Sequence, residues 1–357
     1  MSTPVAGDVL RFIRRYSTKP APDSAFETLA ARVFRFQFEK NVLYRRFCEM
    51  EGATPDKIKT WKDIPAMPAT AFKELTLTSF PRTRKTKIFK TSGTTLRQGQ
   101  NSASEKRGAH YFETLKVYDA AILPPFRKHV LKRGSYVFYI LISPALEASH
   151  SSLSYMMKVV NGKFAHGKSR FYVRQGKPLF KVLAQDLRDE PKRVLFLTTA
   201  FALKGFLDYL KEEKIHLCLP SGSRLMETGG FKGRVRELSK RELYRLCRVR
   251  LGIKDFVSEY GMTELSSQYY SRNGGPFAAP AWMRAVVMDP YTGKESRSGR
   301  VGFLKHVDLA NIGSVVAVQT EDLGRMKGKG FEVIGRARGS EARGCSLSYE
   351  SFLKGTQ

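Results

Sequence analysis

The sequence predicts an α/β protein with parallel strand pairing, joined to a smaller β-rich subdomain. From about Lys85 onward, short β-like runs alternate with stretches of helical apolar spacing, the pattern of successive strand–helix–strand units. After Trp282 the character changes to strands separated by Gly-rich turns, which sets a boundary near residue 275. A helical pattern precedes both. The expected organisation is therefore a helical region over 1–64 packed on the core, an α/β region over 65–275, and a β-rich subdomain with a C-terminal arm over 276–357.

Taken in order, Ser24-x-x-Glu27 has the signature of a capping box, and Phe26, Leu29, Ala30, Val33 and Phe34, then Leu43 and Phe47, keep mostly helical spacing. This face is expected to cover a sheet. Trp61–Phe72, which contains Pro65 and Pro68, reads as an irregular connection. Strands are expected at Lys87–Lys90, Tyr136–Ile142, Val194–Thr198, Arg224–Glu227 and Asp255–Ser258. Helices are expected near Glu105–Ile122, Ser151–Val160, Ala200–Lys211 and Lys240–Leu251. The β-rich part holds candidate strands at Arg284–Met288, Gly302–Val307, Ser314–Thr320 and Phe331–Ile334.

Composition excludes several function classes. With 42% hydrophobic and 27% charged residues, the chain has the balance of a soluble globular protein. Its longest apolar runs, Tyr136–Ala145 and Val194–Leu203, are half of the roughly 20 residues a membrane helix needs. The N-terminus lacks the apolar region of a secretory signal, so a cytoplasmic location is expected. Cys48, Cys218, Cys247 and Cys345 show no metal-ligand spacing, and no disulfide framework is expected. The net charge of +29 attracts anions, but the basic residues are spread along the whole chain. With no zinc finger, RNP-like box or long basic tail, no dedicated nucleic-acid binding is expected.

The sharpest local signal is Thr91-Ser92-Gly93-Thr94-Thr95, directly after the strand-like Lys87–Lys90. A glycine among hydroxyl residues lets backbone N–H groups approach phosphate oxygens while the hydroxyls donate to them. Such a run alone is more often a plain turn. A second signal is Ser258-Glu259-Tyr260-Gly261-Met262-Thr263-Glu264. Tyr260 offers a ring face to a planar base, and Glu264 offers a carboxylate to a hard cation such as Mg²⁺.

Together, and in this order, the two motifs resemble the adenylate-forming superfamily of acyl-CoA synthetases, firefly luciferase and peptide-synthetase adenylation domains. Thr228-Gly229-Gly230 resembles its Gly-rich turn against the nucleotide, and Thr320-Glu321-Asp322-Leu323-Gly324 the segment whose aspartate bonds the ribose. Gly335-Arg336-Ala337-Arg338 resembles the hinge whose arginine contacts the ribose. Within the superfamily, Ser149–Met156, Glu227–Gly233, Val307–Asn311 and Gly339–Cys345 resemble the acyl-protein synthetases of bacterial bioluminescence, also called long-chain-fatty-acid–luciferin-component ligases. The likeness runs from about Pro65 to the C-terminus.

The resemblance implies the superfamily's N-terminal fold and an ATP- and Mg²⁺-dependent ligase that makes an acyl-adenylate from a fatty acid. It implies that the acyl group is then carried as a thioester on Cys345 and passed to a reductase partner. Arg336, Arg338 and Arg343, close in sequence to Cys345, would favour its thiolate. Thr91, Ser92, Gly93, Thr94 and Thr95 inherit the β/γ-phosphates, Thr263 the α-phosphate, Glu264 the metal, and Tyr260 with Gly261, Gly229 and Gly230 the adenine side. Asp322 and Arg336 inherit the ribose. His150 is a candidate for the mouth of the acyl pocket, although a lone histidine is more often structural.

The pattern is broken in places. The superfamily continues past the hinge into a lid with a catalytic lysine; this sequence stops at Gln357, so both are expected to be missing. Arg338 replaces the usual hinge aspartate, and Thr95-Leu96-Arg97-Gln98-Gly99 lacks the usual lysine. An acyl- or aryl-CoA ligase of the phenylacetate type that does without Cys345, and a non-catalytic adenylate-fold binding protein, stand as alternatives.

Overall fold

The computed structural model describes residues 3–92, 107–131, 134–167, 169–230 and 238–337. Helix α1 (Pro4–Arg15) starts where Thr3 Oγ1 accepts the Ala6 N–H at 3.3 Å, with a proline in the first turn, where a missing N–H costs nothing. Helices α2 (Asp23–Lys40) and α3 (Val42–Met50) meet at Asn41, whose side chain caps α3 by accepting the Tyr44 N–H. The capping box expected at Ser24 is not formed. Ser24 lies inside the first turn, and the Glu27 carboxylate instead accepts the Trp61 N–H at 2.6 Å, stapling α2 to the segment after α3.

Strand β1 (Met67–Pro68) and the single turn α4 (Ala71–Glu74) lead to an antiparallel pair, β2 (Lys87–Lys90) and β3 (Ala109–Phe112). Here the expected helix over Glu105–Ile122 is corrected. Residues 105 and 106 lie outside the described residues, and Ala109–Phe112 alternates partly exposed and buried side chains, the two-residue period of a strand. Helix α5 (Lys116–His129) begins only after that.

The central sheet is built from β4 (Val137–Leu141), then α6 (Ser152–Phe164), β5 (Ser169–Phe171), the small pair β6 (Val173–Arg174) and β7 (Lys177–Pro178), and α7 (Phe180–Arg188). It continues through β8 (Val194–Thr199), α8 (Ala200–Glu212), β9 (Arg224–Thr228), α9 (Lys240–Leu251), β10 (Asp255–Tyr260) and β11 (Tyr269–Arg272). Its order is β11-β10-β9-β8-β4-β5, parallel throughout except for the β10–β11 edge. Strands buried on both faces need apolar residues at every position, which is why they read as continuous runs. In β8, Val194 and Phe196 pack with α7–α9, whereas Leu195 and Leu197 pack with α5 and α6. The result is three layers.

A second sheet holds β12 (Met283–Met288), β13 (Gly302–Asp308), β14 (Ala317–Lys327) and β15 (Gly330–Arg336), with β1 added in parallel to β14. Helices α1–α3 share one core with this sheet. Gln37 of α2 fixes the docking from a fully buried position. Its amide N–H donates to Asn311 O at 2.8 Å, and its amide oxygen accepts the Val316 N–H at 2.7 Å.

Candidate active site

Parallel strands β8, β9 and β10 end on the same edge, where open α/β sheets take their ligands. Strand β9 runs into Thr228-Gly229-Gly230, and β10 into Tyr260–Glu264. Gly229 has φ +75°, a conformation that strongly favours glycine, and among the described residues a Cβ on either Gly229 or Gly230 would meet nothing within 4 Å. No described side chain therefore fills the space at this turn.

The β2–β3 pair carries the root of the hydroxyl-rich loop to this edge. Thr91 N–H donates to Gly108 O at 2.9 Å, and Thr91 Oγ1 accepts the Gly108 N–H at 3.0 Å, so the first loop residue closes the base of the loop. Ser92 is the last described residue before Gly93, Thr94 and Thr95, which lie outside the described residues, as does Cys345. His150, on an exposed turn, sits against β2: its carbonyl accepts the Lys90 N–H at 2.8 Å, and its Nδ1 is 3.2 Å from Ile88 O.

His110 on β3 links the two motifs. Its Nδ1 lies 2.9 Å from Thr263 O, and because a carbonyl only accepts, this nitrogen carries the proton. Burial lowers the imidazole to about 4, so it is neutral at pH 7, with Phe112 packed 4.2 Å from its ring. His110→Phe keeps the ring and removes the donor. The expected result is a loss of about 1 kcal/mol in urea unfolding and a several-fold lower turnover.

Tyr260 and Asp322 meet directly, from different sheets. The phenol donates to Asp322 Oδ2 at 2.7 Å, and the ring lies against Phe277 and His306 at 5.6 and 5.5 Å between centroids. Arg336 faces Asp322 across the β14–β15 ladder and pairs with Glu321, and the charges of Asp322 and Glu264 also act on it. Glu264 is buried, and its carbonyl accepts Asn311 Nδ2–H at 2.8 Å. Among the described residues no three His, Cys, Asp or Glu side chains converge as a metal cluster. A single carboxylate fits Mg²⁺ only if phosphates and water supply most of its ligands, as this ion prefers.

Several residues inside or beside these motifs build the site without having been assigned a role there. Asp308 accepts the Ser266 N–H, Ser267 Oγ–H and Ala310 N–H and so shapes the turn after Glu264. The Thr228 hydroxyl donates to the Glu259 carboxylate, tying the ends of β9 and β10 together. Burial raises Glu259 to about 7. Glu227 shares Ser258, Tyr244 and Lys240 one residue earlier on the same strands. One readable signal was available: charged residues inside otherwise apolar runs, as in Leu225-Met226-Glu227 and Leu304-Lys305-His306-Val307-Asp308, mark polar clusters in a sheet interior.

Comparison with known proteins agrees with this geometry. The model of the family described as acyl-protein synthetase, LuxE, matches residues 23–353. The long-chain-fatty-acid–luciferin-component ligase of Aliivibrio fischeri is 20% identical over 350 residues, covering 92% of this chain and 88% of that protein. A crystal structure of an open conformation of 2-hydroxyisobutyryl-CoA ligase, in complex with 2-HIB-AMP and CoA, superposes with a TM-score of 0.68 at 15% identity, covering 88% of this chain and 69% of that one. The long-chain-fatty-acid-CoA ligase of Archaeoglobus fulgidus gives 0.52 at 13% identity, covering 74% of this chain and 53% of the other. These structural likenesses establish the fold of adenylate-forming ligases, and no helix among the described residues is long and apolar enough to cross a membrane. With that fold and a family model spanning most of its length, the chain belongs to the acyl-protein synthetase family of acid–thiol ligases.

Proposed function

We propose that this enzyme activates a long-chain fatty acid with ATP and then carries the acyl group on Cys345 for delivery to a reductase or other acceptor. The observation that carries the nucleotide half is the Tyr260–Asp322 hydrogen bond of 2.7 Å. It joins the residue suited to the adenine ring with the carboxylate suited to the ribose, beside the open Gly229-Gly230 turn. The substrate class follows the relative from A. fischeri, named for a long-chain fatty acid.

In the first step a carboxylate oxygen attacks the α-phosphorus of ATP in line. The bond to the bridging oxygen breaks, and pyrophosphate leaves with its electron pair. Positioning and charge neutralisation dominate such a step. Thr263 would sit at the α-phosphate, and Thr91, Ser92, Gly93, Thr94 and Thr95 at the β/γ-phosphates. Arg336 and Asp322 would hold the ribose, and His150 would stand at the rim for the acid. Mg²⁺, held by Glu264 and the phosphates, would supply charge neutralisation. In the second step the Cys345 thiol releases its proton to solvent, and the sulfur attacks the acyl carbon. The carbon–oxygen bond to the phosphate breaks, and AMP leaves.

The other thiols are poorly suited. Cys48 and Cys247 are buried, and desolvation raises both, Cys247 to about 12, so neither forms a thiolate readily. Cys218 is exposed but precedes β9, at the edge of the sheet opposite the site.

Intact-protein mass spectrometry after incubation with ATP, Mg²⁺ and mixed fatty acids tests the reading, with wild type set against Cys345→Ser. A hydroxylamine-labile acyl mass on wild type alone is expected. AMP release without an adduct on either protein would instead indicate a ligase that passes its acyl group straight to a soluble thiol.

A further inference from the structure

Strand β13 places an uncharged histidine beneath the nucleotide side of the site. His306 is fully buried, between Tyr260 and Tyr269, with ring centroids 5.5 and 5.2 Å away. Its Nε2 lies 3.3 Å from the Tyr260 hydroxyl, and its Nδ1 lies 2.9 Å from the Tyr269 hydroxyl. Desolvation lowers the imidazole to about 3, so it holds a single ring proton at any working pH.

Proton accounting fixes which nitrogen holds it. A phenol has one O–H, and that of Tyr260 points to the Asp322 carboxylate at 2.7 Å. The Tyr260 oxygen can then only accept from His306, so Nε2 carries the proton and Nδ1 is bare. Tyr269 must therefore donate to Nδ1; its other acceptor, Arg284 O, is farther away at 3.3 Å. The four groups form one directed chain, from Tyr269 O–H to His306 Nδ1, from His306 Nε2–H to Tyr260 O, and from Tyr260 O–H to Asp322. Each donor polarises the next, and in a buried setting such chains strengthen their terminal bond.

We propose that His306 is a positioning residue for nucleotide binding: with Tyr269 behind it, it locks the Tyr260 hydroxyl and, through it, the rotamer of the Asp322 carboxylate. The inference rests on the reading of Tyr260 and Asp322 as adenosine contacts. It extends that reading to two residues that touch no substrate and that no motif marks. Without His306, Tyr260 keeps its aromatic neighbours and its contacts to Asp322 and Thr320 but loses the donor that holds its hydroxyl from behind. The carboxylate then samples orientations that do not meet the ribose.

The test uses fatty-acid-dependent ATP–pyrophosphate exchange on the full chain, with ATP and 2′-deoxy-ATP compared. Wild type is expected to prefer ATP. In His306→Phe, KM for ATP is expected to rise about tenfold, the scale of one lost hydrogen bond. KM for the acid and kcat should stay within about threefold of wild type on the same scale, and the preference for ATP over 2′-deoxy-ATP should shrink. His306→Gln, which places an amide N–H near the Nε2 position, should restore most of that preference; His306→Asn, whose amide is too short to reach it, should not. A merely structural role would lower the unfolding midpoint in all three variants without moving the nucleotide ratio. Should His306→Phe fail to fold, Tyr269→Phe probes the chain from its far end and should also reduce the ratio. An unchanged ratio in folded His306→Phe or Tyr269→Phe overturns the inference while leaving the nucleotide reading intact. Wild type without any ATP-dependent exchange overturns both.

Discussion

Asp308→Ala is expected to destabilise the protein by about 3–5 kcal/mol, because it strands several buried donors at once. The carboxylate is fully buried and accepts the Ser266 N–H at 2.9 Å, the Ser267 hydroxyl at 2.9 Å and the Ala310 N–H at 3.0 Å. Ser267 in turn accepts from the indole of the buried Trp282 at 3.0 Å, so the loss spreads to a large core side chain. The two ends of this network are the turn after Glu264 and the turn that holds Asn311, which supports the Glu264 carbonyl. Activity should therefore fall along with stability, and urea unfolding with far-UV detection measures the larger effect.

The same group gives a pH signature with a definite sign. Burial, only partly offset by its hydrogen bonds, raises Asp308 to about 6, above its ordinary 3.8. A carboxyl group whose folded pKa is raised binds its proton more tightly in the folded state, so its contribution is fully present below the unfolded value and is lost as pH rises through 6. Asp308→Asn removes this titration. Wild type should gain on it by about 2 kcal/mol between pH 7.5 and pH 4.5. A stability gap between the two proteins that stays flat over that interval would contradict the assignment.

What could be read in advance follows from how local each signal is. The parallel strands were legible because burial on both faces leaves an unbroken apolar run, as in Val194-Leu195-Phe196-Leu197. Strand β3 is hidden in the sequence because Ala109–Phe112 is too short for its two-residue period to stand out beside the longer helical pattern that follows. Strand β11 and helix α7 have no counterpart among the expected elements, whereas α1 falls inside the helical region expected over 1–64. The capping box at Ser24 failed for a tertiary reason: Glu27 serves Trp61, a partner that no local pattern announces.

Site residues divide along the same line. Tyr260, Thr263, Glu264, Asp322 and Arg336 belong to contiguous motifs and could be singled out by resemblance. The structure adds that Tyr260 and Asp322 touch, and that Arg336 feels both acidic groups. His110 and His306 act through partners far away in sequence, and single histidines have no pattern to reveal them; their trace in the sequence is a polar side chain where a strand should be apolar. Glu259 and Asp308 lie inside stretches that the resemblance marks, but what they hold, on a neighbouring strand or a distant turn, is visible only in the structure.

Gly261→Ala is expected to lower fatty-acid-dependent pyrophosphate exchange about a hundredfold, the scale on which displacements of about 1 Å act on a reacting centre. The fold itself should lose only about 1–3 kcal/mol, as in an overpacked site. A Cβ at this position would overlap Glu259 Oε1 and lie 3.3 Å from Gln268 Cγ. A free carboxylate would swing away, but this one is buried and receives the Thr228 hydroxyl. Either Glu259 moves and releases Thr228, the residue before the open Gly229-Gly230 turn, or the backbone at 261 moves and carries Thr263 and Glu264 with it. Both routes disturb the turns proposed to hold the nucleotide. Removing the obstacle frees Thr228 but spares the backbone at 261 that carries Thr263 and Glu264, so Glu259→Ala combined with Gly261→Ala is expected to be about tenfold more active than Gly261→Ala alone, a coupling of roughly 1.4 kcal/mol in a double-mutant cycle. Wild-type exchange rates in Gly261→Ala, or a double variant no better than the single one, would show that the Glu259–Gly261 contact does not hold these two turns in place.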